Sequence, residues 1–345
     1  MSSHTLTLEV TTRDLPLKAP FRISGMTWHN TPVVVATVRR GGAFGRGEAA
    51  GVYYTGDTPQ TAAESLRQLA GRMPAGLNRD SLQELLPPGG ARNALDCALW
   101  ELDSQESGRP VWSLAGLAAP RDLLTTMTLP AQSPAEMAQG ARGYATARAL
   151  KVKLTGDLEE DMERVRAIRA ARPDVWLGVD ANQGYAPDSL ARLLPVLIDC
   201  AVKLLEQPFR RGSEAELDGL KLPIPVAADE SCLDLKELET LPGRFDVVNI
   251  KLDKCGGLTE GLKIARRAQA LGLKVMVGNM IGTSISMGPA FVLGQLCDIV
   301  DLDGPIFIKH DPEPTVSYHD GYVSCPPEVW GGGRQIPAGS VAARR

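Results

Sequence analysis

Three acidic residues each close an apolar run. Asp180 ends VWLGVD, Glu206 ends AVKLLE and Asp229 ends IPVAAD. A carboxylate in such a place is costly to bury unless it is paired or holds a metal. Brought together, three would repel one another without a cation among them. Oxygen-only donors suit a hard ion, and Mg²⁺ takes carboxylates together with waters and substrate oxygens. The plainer alternative has each acid capping the next helix or pairing with an arginine. That alternative must explain three acids in one register.

Lysines follow the same pattern. Lys151 and Lys153 lie two apart in ALKVK, so on a strand they share a face. Lys251 ends VVNIK. Lysine becomes a usable base when burial or a neighbouring cation lowers its pKa. Lys151 and a metal would supply that field to Lys153; the alternative is lysines snorkelling from a surface strand. The histidines, His4, His29, His310 and His319, end none of these runs, so the lysines remain as the proton-transfer pair. Asp301 and Asp303, in DLDGP, would share a face and suit a cationic group such as an ammonium. They would equally stabilise a strand-to-loop turn. Gly256-Gly257 would shape the loop after Lys251 or allow close approach to a ligand.

These residues need a scaffold that brings distant strand ends together. From about residue 122 the chain alternates short apolar runs with amphipathic stretches. Strands are expected at 123–128, 149–154, 175–180, 202–206, 224–229, 247–251, 274–278 and 298–303, and helices at stretches such as 160–171 and 261–271. Near-continuous apolar strands fit a parallel sheet covered on both faces. Eight strand–helix units make a (β/α)-barrel, whose active site sits at the C-terminal ends of the strands. Lys153, Asp180, Glu206, Asp229, Lys251 and Asp301 are separated by 27, 26, 23, 22 and 50 residues, the last gap spanning two units. All six would therefore meet on one face. Before the barrel, strands at 5–12 and 33–39, a turn at Gly41-Gly42 and helices at 61–73 and 91–106 suggest a small α+β domain. The tail from His310, with Tyr318, Tyr322 and Trp330, is expected to pack back on that domain.

The 345 residues fit one barrel plus a smaller domain. A net charge of −4 with no basic stripe argues against a nucleic-acid partner. Six scattered cysteines form neither a zinc pattern nor a disulfide framework, and the N-terminus has no signal-peptide pattern. No apolar run is long enough to span a membrane. These features together are read as a cytoplasmic protein.

KVK (151–153), VDANQGY (179–185), LEQPF (205–209), ADES (228–231) and NIKLDKCGG (249–257), with ARNALDCALWELDSQ (91–105), closely resemble the muconate-lactonizing subgroup of the enolase superfamily. The resemblance spans nearly the whole chain. It implies an enolase-type modified TIM barrel (119–310) under an α+β capping domain (1–118), with a C-terminal segment (311–345). It makes Asp180, Glu206 and Asp229 ligands of Mg²⁺, supported by Asn182 and Glu230. Lys153 and Lys251 become bases on opposite faces of a substrate α-carbon, and Lys151 helps hold the substrate carboxylate. Asp301-x-Asp303 resembles the motif with which dipeptide epimerases hold an N-terminal ammonium. The implied reaction is epimerisation of a dipeptide's C-terminal residue through an enolate. Alternatives are an N-acylamino-acid racemase, acting for instance on N-acetylglutamate, and, further off, a cycloisomerase or o-succinylbenzoate synthase. Relatives acting on Ala-Glu carry an arginine in a capping loop that here reads PFRISGMTWHN (20–30). Met26 and Trp28, with Tyr54 from VYYTGDT (52–58), would face the substrate there. An apolar or aromatic second residue thus competes with glutamate. Barrels of this kind often form even-numbered homo-oligomers, although the sequence shows no interface.

Overall fold

The computed structural model describes residues 5–23 and 26–333. Residues 1–4, 24–25 and 334–345 lie outside the described residues. They include His4, Gly25 of the expected capping loop and the end of the expected C-terminal segment.

An antiparallel sheet near the start of the chain consists of β1 (Thr7–Ile23), β2 (Met26–Arg40) and β3 (Ala43–Ala49). Alternation along β2 explains its two-sided burial. Val34, Ala36 and Val38 enter a core with the helices α1 (Pro59–Ala70), α2 (Arg79–Leu85) and α3 (Gly90–Ser107). Val33 instead joins Leu15, Leu17, Phe21 and Ile308 at the barrel mouth. β3 runs GRGEA because α3 lies directly on it: a Cβ at Gly47 would sit 2.0 Å from the carbonyl oxygen of Ala94.

The second unit is an eight-stranded parallel sheet in sequential order: β5 (Met127–Leu129), β6 (Ala149–Lys153), β7 (Trp176–Asp180), β8 (Leu204–Glu206), β9 (Val226–Ala228), β10 (Val247–Ile250), β11 (Lys274–Val277) and β12 (Ile299–Val300). It curls until its two edges meet. Thr126 N donates to Val300 O at 3.0 Å and Thr128 N to an Asp303 carboxylate oxygen at 2.6 Å. Inward positions two apart make layers. Trp176, Leu204, Ala227, Val247, Met276 and Ile299 plug the bottom, and the next positions up the strands are the polar Glu206, Asp229, Asn249 and Asp301 and the glycines Gly178 and Gly278. The outward faces join the surrounding helices in the largest core.

One expected strand divides. Leu123–Leu124, β4, pairs with β14 (Tyr322–Ser324) of a C-terminal hairpin, whose other strand is β13 (Ser317–His319). Only Met127–Leu129 enters the barrel. The chain changes partners at Thr125-Thr126, where Thr125 N donates to Gly321 O and Thr126 N to Val300 O. After that hairpin, Trp330 Nε1 donates to Arg46 O on β3 at 2.9 Å.

Candidate active site

The strand ends converge as their spacing implied. Asp180 and Glu206 are the last residues of β7 and β8, while Asp229, Lys251 and Asp301 follow β9, β10 and β12 directly. Lys151 and Lys153 share the inward face of β6. Asp180, Glu206 and Asp229 are fully buried, and one oxygen from each lies within 4.8 Å of the other two. This is a cluster able to hold a metal ion.

Three lysines bind its inward side. Lys151 Nζ lies 2.7 Å from Glu206 Oε2, 2.9 Å from Asp301 Oδ2 and 3.3 Å from Asp180 Oδ2. Lys153 Nζ meets Asp180 Oδ2, and Lys251 Nζ meets Asp229 Oδ2, each at 2.6 Å. β6 and β10 are the second and sixth of eight strands, so Lys153 and Lys251 approach the centre from opposite sides.

One ammonium cannot neutralise all the acids that share Lys151. Burial, then Asp180, push the Glu206 carboxyl up to about 7 despite Lys151. Its Oε2 also lacks a properly directed hydrogen bond. Asp180 and Asp229 are held low: burial opposes this, but Lys153 and Lys151 prevail at Asp180, and Lys251 and Lys254 at Asp229. Lys251 is disfavoured as an ammonium by burial, yet Asp229 carries its pKa above the ordinary lysine value. An added cation among the carboxylates would relieve Glu206 and take Asp229 from Lys251. The donor set therefore fits a hard cation.

Asp301 and Asp303 are buried beneath the mouth of the cavity. Asp301 is paired with Lys151 and accepts from Thr126 Oγ1 at 2.5 Å. Asp303 accepts from Thr128 N, with no ion pair of its own among the described residues. Burial, then the Asp301 charge, push its carboxyl up to about 7. Glu230 reaches about 8 through burial, Asp229 and Asp180, and its Oε2 has no partner. Asn182 gives its backbone N–H to Asp180 Oδ1 from a left-handed turn (φ 42°).

A cavity of about 250 Å³ opens over these groups. Phe21, Trp28, Tyr53, Tyr54 and Phe307 roof it. Ring contacts run from Phe307 to Phe21 (4.9 Å), Phe21 to Trp28 (6.5 Å), Trp28 to Tyr53 (5.3 Å) and Tyr53 to Tyr54 (5.1 Å). Trp28 and Tyr54 line the cavity, as do Lys151, Lys153, Lys251, Asp301, Asp303, Asn182 and Glu230. Met26 does not; it is exposed at the start of β2, where it pairs with Ile23 at the end of β1. Arg22 is exposed and also outside the lining.

Sequence reasoning gave no role to several residues of the site. Asn249 donates to Glu206 Oε1 at 2.8 Å, and Lys254 donates to Asp229 Oδ1 at 2.7 Å. Gln207 accepts from the backbone of Asp229 and Ser231 and fixes the turn after β9. A signal did exist for two of them. Asn249 is an amide inside an apolar strand on the face of Lys251, and Lys254 is a lysine buried one helical turn later.

Residues 5–116 match the mandelate racemase/muconate lactonizing enzyme N-terminal domain, and residues 134–336 match the enolase C-terminal domain-like family. The chain belongs to the enolase superfamily. This superfamily member is 38% identical to the L-Ala-D/L-Glu epimerase of Escherichia coli K12, over 91% of this chain and 98% of the relative. It is also 38% identical to the N-acetyl-D-glutamate racemase of a Pseudoalteromonas species, over 72% and 78%. Among solved structures, an enolase-family protein of Agrobacterium tumefaciens, described as homologous to dipeptide epimerases and holding sodium and L-Ala-L-Glu, superposes with a TM-score of 0.91. It shares 36% identity, over 95% of this chain and 100% of that one. The dipeptide epimerase of Methylococcus capsulatus, complexed with Mg and L-Arg-D-Lys, gives 0.87 at 31% identity, over 94% and 98%. Relatives and fold make this chain an isomerase of the epimerase and racemase kind.

Proposed function

We propose that this enzyme is a Mg²⁺-dependent dipeptide epimerase that inverts the α-carbon of the C-terminal residue. The observation that carries the reading is Asp303: a buried carboxylate beside Asp301, facing a substrate-sized cavity, with no ion-pair partner among the described residues. An N-terminal ammonium supplies that partner. An N-acyl group would leave the acid unpaired.

Asp180, Glu206 and Asp229 would hold the metal. When bound, Mg²⁺ supplies Lewis-acid charge that draws these carboxylates away from the lysines and stabilises the negative charge of an enolate. Lys151, fixed between Glu206 and Asp301, places positive charge where the substrate carboxylate sits. Lys153 and Lys251 face the α-carbon from opposite sides. One, as the free amine, takes the α-proton; the other, as the ammonium, returns a proton to the opposite face. The aromatic roof keeps water from the enolate during that exchange.

The same roof sets side-chain preference. Among the described lining residues the cations are Lys151, Lys153 and Lys251, each already paired with a carboxylate. Phe21, Trp28, Ile281, Met280 and Phe307 offer apolar surface instead. We therefore expect apolar and aromatic residues to be turned over better than glutamate. A panel of L-Ala-L-X dipeptides and N-acetyl-L-amino acids with Mg²⁺, read by chiral chromatography, tests both points. Inversion of L-Ala-L-Phe or L-Ala-L-Leu with higher kcat/KM than L-Ala-L-Glu supports them. Turnover of the N-acetyl set alone favours the racemase reading, to which the Pseudoalteromonas relative points.

A further inference from the structure

Each acid of the triad has one oxygen claimed from outside and one turned inward. Asp180 Oδ1 accepts from Asn182 N at 3.0 Å, and Oδ2 meets Lys151 and Lys153. Glu206 Oε1 accepts from Asn249 Nδ2 at 2.8 Å, and Oε2 faces inward. Asp229 Oδ1 accepts from Lys254 Nζ at 2.7 Å, and Oδ2 meets Lys251. Lys254 also donates to Asp229 O at 2.5 Å and to Asn249 O at 2.9 Å, so all three of its ammonium protons are used. Its side chain is 1% exposed, which leaves it no solvent-facing alternative. Neither Asn249 nor Lys254 lines the substrate cavity. Together they form a buried clamp behind two of the three acids.

We propose that Lys254 and Asn249 are positioning residues that hold Asp229 and Glu206 as one-oxygen ligands, and so select Mg²⁺ against Ca²⁺. The inference rests on the triad being the metal site. Mg²⁺ demands octahedral geometry and keeps several waters, so single oxygens satisfy it. Ca²⁺ takes more ligands at longer distances and uses bidentate carboxylates. A carboxylate whose outer oxygen is held by a fixed donor must turn away from that donor to bring both oxygens onto one cation. Bidentate binding, which Ca²⁺ uses and Mg²⁺ does not need, therefore costs the held hydrogen bond.

Isothermal titration of Mg²⁺ and of Ca²⁺ into the native protein, Lys254→Met and Asn249→Ala tests this without any substrate, with circular dichroism confirming the fold. The native protein should bind Mg²⁺ more tightly. Each variant should move the ratio of the two affinities toward Ca²⁺ by about 10-fold. Equal weakening of both cations, or an unmoved ratio, would overturn the proposal, since either means the clamp supports the site without shaping it. A native protein that binds neither cation would instead sink the triad reading itself. Should Lys254→Met not fold, Asn249→Ala decides alone: it removes one hydrogen bond, and the Oδ1 it also deletes has no partner.

Discussion

Asp303 illustrates how a single residue connects burial to binding. Its carboxyl, pushed up to about 7 by burial and by Asp301, is ionised above that pH and neutral below it. Only the ionised form attracts an ammonium. KM for a dipeptide should therefore rise as pH falls below about 7, while kcat changes less, because on the proposed reading Asp303 would meet the ammonium, away from the α-carbon. Asp303→Asn should raise KM by at least about 10-fold and remove its acid-side pH dependence. Steady-state kinetics from about pH 5.5 to 9, a range that brackets the shifted carboxyl, would show both effects; an unchanged KM profile in Asp303→Asn would refute the assignment. At this scale the acids and lysines were legible in sequence, since an apolar strand ending in a charge asks for a reason. Asn249 and Lys254 were not given roles, because their partners, Glu206 and Asp229, come from other strands, and strand periodicity carries no information about which neighbours meet.

Helix α3 helps fix one domain to the other. Three of its residues at helical spacing, Arg92, Asp96 and Trp100, reach the barrel. Arg92 donates to the carbonyls of Cys255 and Gly256 and pairs with Glu260 at 2.5 Å. Asp96 accepts from the backbone and hydroxyl of Thr259, and Trp100 Nε1 donates to that hydroxyl. Gly257, at φ +115°, is needed there, since a Cβ would lie 2.5 Å from Asp96 Oδ2. This contact holds the loop that follows Lys251 and carries Lys254. Arg92→Ala leaves buried carbonyls and Glu260 without their donor and should cost about 3–5 kcal/mol of stability. Urea unfolding measures it; a loss under about 1 kcal/mol would show that the contact is dispensable. The glycine pair in KCGGL reads in sequence as a loop-shaping signal or a close approach to a ligand; its role in domain contact depends on α3, which sequence spacing alone could not bring near. The split between β4 and β5 has a similar origin. Apolar runs at 123–124 and 127–129 look continuous, and only tertiary pairing assigns them to different sheets.

Across the whole molecule, the site lies where the two domains face each other. The barrel supplies charge at its strand ends, and the N-terminal sheet and following loop supply most of the aromatic roof. Glu48 on β3 accepts from the backbone and hydroxyl of Thr283, and Asp253 after β10 accepts from Ala50 N and Gly51 N, so the roof is tied to the floor on two sides. The barrel rhythm was readable because eight strand–helix units repeat one pattern. The roof was readable only in part, since Met26 and Trp28 both lie on β2 and only tertiary packing sets Trp28 over the cavity and leaves Met26 exposed. No helix among the described residues is long and apolar enough to cross a membrane.

The central claim is that Lys153 and Lys251 exchange the α-proton of a dipeptide from opposite faces. Incubating L-Ala-L-Phe with the Mg²⁺-loaded enzyme in D₂O, and following the C-terminal α-proton by NMR, tests it most directly. The native enzyme should replace that proton with deuterium while forming the L,D epimer. Lys153→Ala and Lys251→Ala should each abolish epimerisation, one of them still exchanging the L,L substrate and the other only the L,D epimer, and the double variant should exchange neither. Epimerisation that survives either substitution, or exchange that survives both, would contradict the two-base account.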